Sequence, residues 1–190
     1  AGDKTTNNSA IYYGVGLLQY DADAVTEFCT IRNCTIEKIH HSPDLAQGAG
    51  ALVFGGRLRN CLIVGNRATD GLESVGRANA GGILLMGGTA DHCTVVGNSG
   101  GTFPGGVNVA GGALKNSLVW DNDNVATDSE RNVRLASGSV AYTSTDAVLT
   151  GEGNLAVRPD FQGKGVAAML FTDLLPVGLK RRFKYVSAYP

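Results

Sequence analysis

The residues of this chain that could do chemistry are few and scattered. The densest acidic stretch is Asp121-Asn122-Asp123-Asn124, followed by Asp128 and Glu130. An acidic loop holds Ca²⁺ when oxygen ligands recur at alternate positions around a central Gly; this stretch lacks that pattern, so a solvated turn is expected. His40 and His41, with Asp44, suggest a metal or acid–base group. Adjacent residues of an extended chain point to opposite sides, so the two imidazoles do not meet on one ion, and a surface loop is expected. Arg67, Asp70, Glu73 and Arg77 share one long stretch that could line a glycan groove; exposed ion pairs of little energetic weight are the expected alternative. Trp120, the single Trp, is either a sugar-stacking platform or a residue packed beneath a neighbouring loop, and packing is expected. Lys180-Arg181-Arg182-Phe183-Lys184 is a short, isolated basic run, too little for a nucleic-acid interface. There is no Gly-rich loop leading into a helix. The expectation is therefore no catalytic residue, no cofactor and no metal ligand set, which leans toward a non-enzymatic protein.

What the sequence does contain is a repeated phrase. It reads Ile31-Arg32-Asn33-Cys34-Thr35-Ile36, then Leu58-Arg59-Asn60-Cys61-Leu62-Ile63, Ala90-Asp91-His92-Cys93-Thr94-Val95 and Leu114-Lys115-Asn116-Ser117-Leu118-Val119. A weaker fifth copy, Ala141-Tyr142-Thr143-Ser144, places Ser144 at the Cys position. Units of 24 to 32 residues in series mean a stacked array. Leu58, Cys61 and Ile63 share one face only if the chain bends at Asn60, and Asn tolerates the left-handed conformation such a corner needs. Asn33, Asn60 and Asn116 are expected at this corner, with His92 as the exception, and their amides are expected to bond along the stack. Cys34, Cys61 and Cys93, at one repeat position, are expected to be buried thiols. Stacked side chains lie parallel, which is poor disulfide geometry.

A second phrase precedes the first: Gly50-Ala51-Leu52-Val53-Phe54-Gly55-Gly56, Gly82-Ile83-Leu84-Leu85-Met86-Gly87-Gly88 and Gly106-Val107-Asn108-Val109-Ala110-Gly111-Gly112, with 14–20 as an earlier copy. Each is a short aliphatic strand closed by a turn with φ > 0. The stretches 40–48, 67–80, 99–105 and 123–132 fall after the Cys strand and vary in length, so a variable loop is expected at one angular position of every coil. Composition agrees with a turn-rich ordered fold, with 27 Gly and only 5 Pro in 190 residues. The net charge of −1 and the mean hydropathy of zero point to neither nucleic acid nor an anionic membrane, and no apolar run is long enough to span a bilayer.

Three short strands per coil and small residues at the corners predict an all-β, single-stranded parallel β-helix of about six coils over 1–163, with a tail or cap over 164–190. Right-handed winding follows from the general preference of parallel crossovers. The stretches 81–101 (GGILLMGGTADHCTVVGNSGG), 105–122 (GGVNVAGGALKNSLVWDN) and 140–161 resemble the secreted and cell-surface bacterial right-handed parallel β-helix repeat proteins, a pectate-lyase-like superfold. That resemblance implies an extracellular or cell-surface location. Some relatives bind or cut polysaccharides, using acidic clusters for Ca²⁺ with a basic residue, or paired Asp residues. This chain shows neither set. The leading expectation is thus a structural or interaction module, assembling end to end with itself or meeting other surface proteins. Polysaccharide binding or cleavage is the alternative. The apolar stretch 166–175 and the strand-like 183–189 are expected to cover one end or to add a strand to a neighbouring subunit.

Overall fold

A computed structural model describes residues 13–14, 16–37, 47–69, 79–101, 103–124 and 130–156. These residues build a parallel β-helix. Its first sheet stacks Leu17–Gln19, Ala51–Val53, Ile83–Leu85, Val107–Val109 and Val133–Leu135 in coil order. The second sheet stacks Val25–Glu27, Arg57–Arg59, Thr89–Asp91, Ala113–Lys115 and Ser139–Ala141. The third stacks Thr30–Arg32, Leu62–Val64, Thr94–Val96 and Leu118–Trp120, and single bridges carry it on through Ser144 to Leu155. All pairings are parallel and in register, Ile31 on Ile63 on Val95 on Val119 for example.

The core follows from this register. Alternate residues of each strand point inward, and the coil above repeats the choice. Ala51, Val53, Leu58, Ile63, Ile83, Leu85, Val95, Val107, Val109 and Leu114 form one buried cluster along the axis. Between the first and second sheets the chain turns on the second Gly of each Gly-Gly pair. Gly56, Gly88 and Gly112 hold φ of 71°, 67° and 70°, a region that favours Gly. Gly82, before the first strand, is required for a different reason: a Cβ there would lie 2.5 Å from the Gly106 carbonyl oxygen.

Two expectations about the coil need correction. The first two coils have a fourth strand, because Thr35–Glu37 pairs with Arg67–Thr69, and bridges from Arg67 to Ser99 to Asp123 extend that edge. Arg67 is therefore a strand residue, still exposed, and not part of a loop. Short pairs Tyr13–Gly14, Gln47–Gly48 and Asn79–Ala80 form a further small sheet before the first strand. Five coils are present among the described residues, and a partial sixth rung closes them. Tyr142 N donates to Glu152 O, Thr143 N donates to Asn154 Oδ1, and Gly153 repeats the left-handed corner at φ 66°. Leu149 packs against the core at this end. The stretch 164–190 lies outside the described residues.

Candidate functional site

The corners carry most of the polar chemistry of the interior. At the first corner, between the second and third sheets, Phe28, Asn60, His92, Asn116 and Tyr142 all have φ between 47° and 56°. The residue that follows points inward: Cys29, Cys61, Cys93, Ser117 and Thr143. Each donates to the carbonyl two residues back, Cys61 Sγ to Arg59 O at 3.1 Å, Ser117 Oγ to Lys115 O at 2.6 Å, Thr143 Oγ1 to Ala141 O at 3.1 Å. The Arg59, Lys115 and Ala141 carbonyls each also accept a backbone N–H from the neighbouring coil, such as His92 N to Lys115 O, so the small donor uses the second lone pair.

This register overturns two expectations. Thr30 pairs with Leu62, so Cys29, and not Cys34, occupies the position of Cys61. Leu118 pairs with Ser144, so the fifth copy is one residue earlier than expected and Thr143, fully buried, takes the Cys position. Tyr142 holds the corner at φ 50°.

Cys34 belongs to a second corner, between the third sheet and the fourth. Asn33, Gly65, Gly97 and Asp121 make the left-handed bend there, and Cys34, Asn66, Asn98 and Asn122 follow. The buried asparagine ladder is here. Asn66 Nδ2 donates to Asn98 Oδ1 at 2.9 Å, Asn98 Nδ2 to Asn122 Oδ1 at 2.9 Å, and Asn122 Nδ2 to Asn132 Oδ1 at 2.9 Å. The backbone N–H of Cys34, Asn66, Asn98 and Asn122 each donates to the Oδ1 of the next amide. The expected ladder of Asn33, Asn60 and Asn116 does not form. Asn33 and Asn60 are exposed, and Asn116 donates instead to Asp91 Oδ1. The missed residues had a sequence signal: Asn66, Asn98 and Asn122 each lie five positions after the Cys or Ser of their coil.

Among the described residues the expected chemical candidates do not converge. Asp121 is an exposed corner, Asn122 lies inside the ladder, Asp123 pairs with Ser99, and Glu130 bonds Arg134. Trp120 is buried and donates from Nε1 to Ser144 Oγ, so it packs and offers no open ring face. His40, His41, Asp44, Asp70, Glu73, Arg77, Asp128 and 180–184 lie outside the described residues. Among the described residues no three His, Cys, Asp or Glu side chains gather as a metal site, and no helix is long and apolar enough to cross a membrane.

The four thiols are unbridged. Burial pushes Cys93 up to about 12 and also raises Cys61 and Cys34 above the ordinary thiol value. Thiols so shifted are poor nucleophiles.

On the outside, two features remain. The second sheet presents a column of alternating charge, Glu27, Arg59, Asp91 and Lys115, with Arg59 bonded to Glu27. The larger feature is the first coil itself. Its Leu18, Tyr20, Val25 and Phe28 are exposed by 48%, 68%, 56% and 76%. Leu52 and Leu84, in the same column as Leu18, are fully buried. No family model, no curated protein and no solved structure matches the chain.

Proposed function

We propose that this chain is a structural and interaction module of the bacterial cell exterior, and that it meets its partner at the first coil. The simplest partner is the last coil of a second copy, which would extend the stack into a filament or surface layer. The exposure of Leu18 beside the complete burial of Leu52 and Leu84 carries this reading. An outward side chain in a parallel column is covered by its neighbours above and below, about 4.8 Å away. The end coil has one such neighbour, and Leu18, Tyr20, Val25 and Phe28 make that end apolar. Exposed apolar groups of this kind mark interaction sites. Tyr142, Val148 and Leu155, exposed by 39%, 90% and 41%, place matching apolar groups near the other end. A head-to-tail contact between unlike ends does not close and so propagates. Among the described residues no acidic cluster gathers and Trp120 is packed, which favours this reading over polysaccharide cleavage.

Sedimentation velocity over a wide concentration range tests it. The expected result is mass that grows with concentration and is lost in a Val25→Asp, Phe28→Ser variant whose circular dichroism is unchanged. A wild-type chain that stays monomeric, and is retarded in polysaccharide-containing gels, would favour the glycan-binding alternative.

A further inference from the structure

We propose that Cys29 and Cys61 form a two-coordinate thiolate site for one soft monovalent d¹⁰ cation of the Cu(I) type. Their side chains are in register on adjacent coils, one residue before the paired Thr30 and Leu62. Both thiols donate to the carbonyl two residues back, Cys29 to Glu27 at 3.3 Å and Cys61 to Arg59 at 3.1 Å. The two side chains therefore hold the same orientation, and their sulfurs follow one another along the helix axis. Adjacent rungs are about 4.8 Å apart. Two metal–thiolate bonds of about 2.3 Å placed in line span nearly that distance. An ion midway between the sulfurs thus meets both without moving a strand.

The alternatives fit less well. A disulfide needs the sulfurs about 2.05 Å apart with crossed Cβ–S bonds, and in-register parallel side chains oppose both. Zn²⁺ takes four ligands in tetrahedral array, and among the described residues no third His, Cys, Asp or Glu completes a set. Thiolates select soft cations such as Cu(I). Access is one-sided. Cys29 is exposed at the open end of the column, Cys61 is buried beneath it, and Cys93 lies one coil further in with no exposure. Cys34 stands at the other corner beside Asn66, with its backbone N–H on the asparagine ladder. On binding, both thiols release their protons to solvent and the ion becomes a bis-thiolate, so affinity rises with pH.

Ser is the natural control, because Ser117 occupies this same column and makes the same bond to its own coil. Cys29→Ser and Cys61→Ser therefore remove the sulfur and keep the carbonyl donor. The reduced full chain is titrated anaerobically with Cu(I) presented as a coloured chelate, and the loaded protein is examined by X-ray absorption. The expected result is one ion per chain with a shell of two sulfurs. Cys29→Ser and Cys61→Ser should each weaken binding by at least about 100-fold, as loss of one of two ligands requires. Cys34→Ser and Cys93→Ser should leave it unchanged. A Cys61→Ser variant that binds like the wild type would show a single surface thiol and overturn the proposal. So would loss of binding in Cys34→Ser, or a shell of one or three sulfurs in the wild type; that spectrum decides the matter even if a variant fails to fold.

Discussion

The two inner corners solve one problem in two ways. Each bends the chain through a left-handed residue, and in each the inward side chain donates to the carbonyl two residues back. At the first corner Cys61, Cys93, Ser117 and Thr143 make that bond, and Cys93 also reaches Leu58 O and gives its N–H to Ser117 Oγ. At the second Asn98 and Asn122 make it, and their amides also reach the next coil. A thiol or hydroxyl has one proton to give. A carboxamide has two donors and a two-lone-pair acceptor, so it can serve its own coil and both neighbours at once. Both corners bond between coils, and the second does so with more bonds per side chain. Asn108 shows what the same amide does elsewhere. It is as buried as Asn98, yet its Oδ1 has no hydrogen-bond partner.

The largest effect is expected in the ladder. Asn98→Ala takes the acceptor from the Asn66 N–H and Asn66 Nδ2, removes a donor from the Ile63 and Val96 carbonyls and from Asn122 Oδ1, and should cost about 3–5 kcal/mol in urea unfolding. Ile63→Ala, a pure core truncation, should cost about 2–5 kcal/mol by the same measurement. A ladder variant costing much less than the core variant would reduce the second corner to the rank of the first.

Asn108→Leu should have the opposite sign. Its column neighbour Leu84 is fully buried, so Leu there replaces an unpaired acceptor with apolar surface and should raise stability by about 1 kcal/mol. A loss in the unfolding free energy would mean that the Asn108 amide does work the structure does not display.

The first corner should show its weakness through pH. The Cys93 thiol is raised from 9.0 to about 12, so its contribution is full below about 9 and is lost as the pH climbs through 12. Cys93→Ser keeps the donor to Asp91 O and should change stability little at neutral pH. It should flatten the alkaline decline seen in thermal melts across that window. An identical alkaline limb in the two proteins would contradict the burial of this thiol. The smallest effect belongs outside both corners: Arg67→Ala, at an exposed strand position, should stay within about 0.5 kcal/mol.

The sequence made the architecture plain because its strongest signals are physical necessities of the coil. The Gly-Gly pairs demand φ > 0, and Asn60, Asn116 and His92 stand where they were expected. The register of the first coil was misread for an equally physical cause. Asn33-Cys34 at the second corner is locally indistinguishable from Asn60-Cys61 at the first, since both are a left-handed residue followed by a small donor. Only pairing along the stack separates them. The last coil was misplaced by one residue because Tyr142, an aromatic, occupies a corner that Asn marks elsewhere. The true ladder was hidden because its members follow Gly65, Gly97 and Asp121, which share a backbone conformation and no side-chain type. The exposed first coil was invisible for another reason: Leu18, Leu52 and Leu84 are the same residue type, and only position in the stack distinguishes them.

The assignment of the ladder to the second corner is tested most directly by hydrogen exchange of the side-chain amides in an Asn-resolved NMR spectrum. The Nδ2 protons of Asn66, Asn98 and Asn122 should exchange slowly, at rates tied to coil opening, while those of exposed Asn33 and Asn60 exchange at solvent rates. Slow exchange at Asn33 and Asn60 with fast exchange at Asn66 and Asn98 would move the ladder back to the corner asparagines and contradict the account.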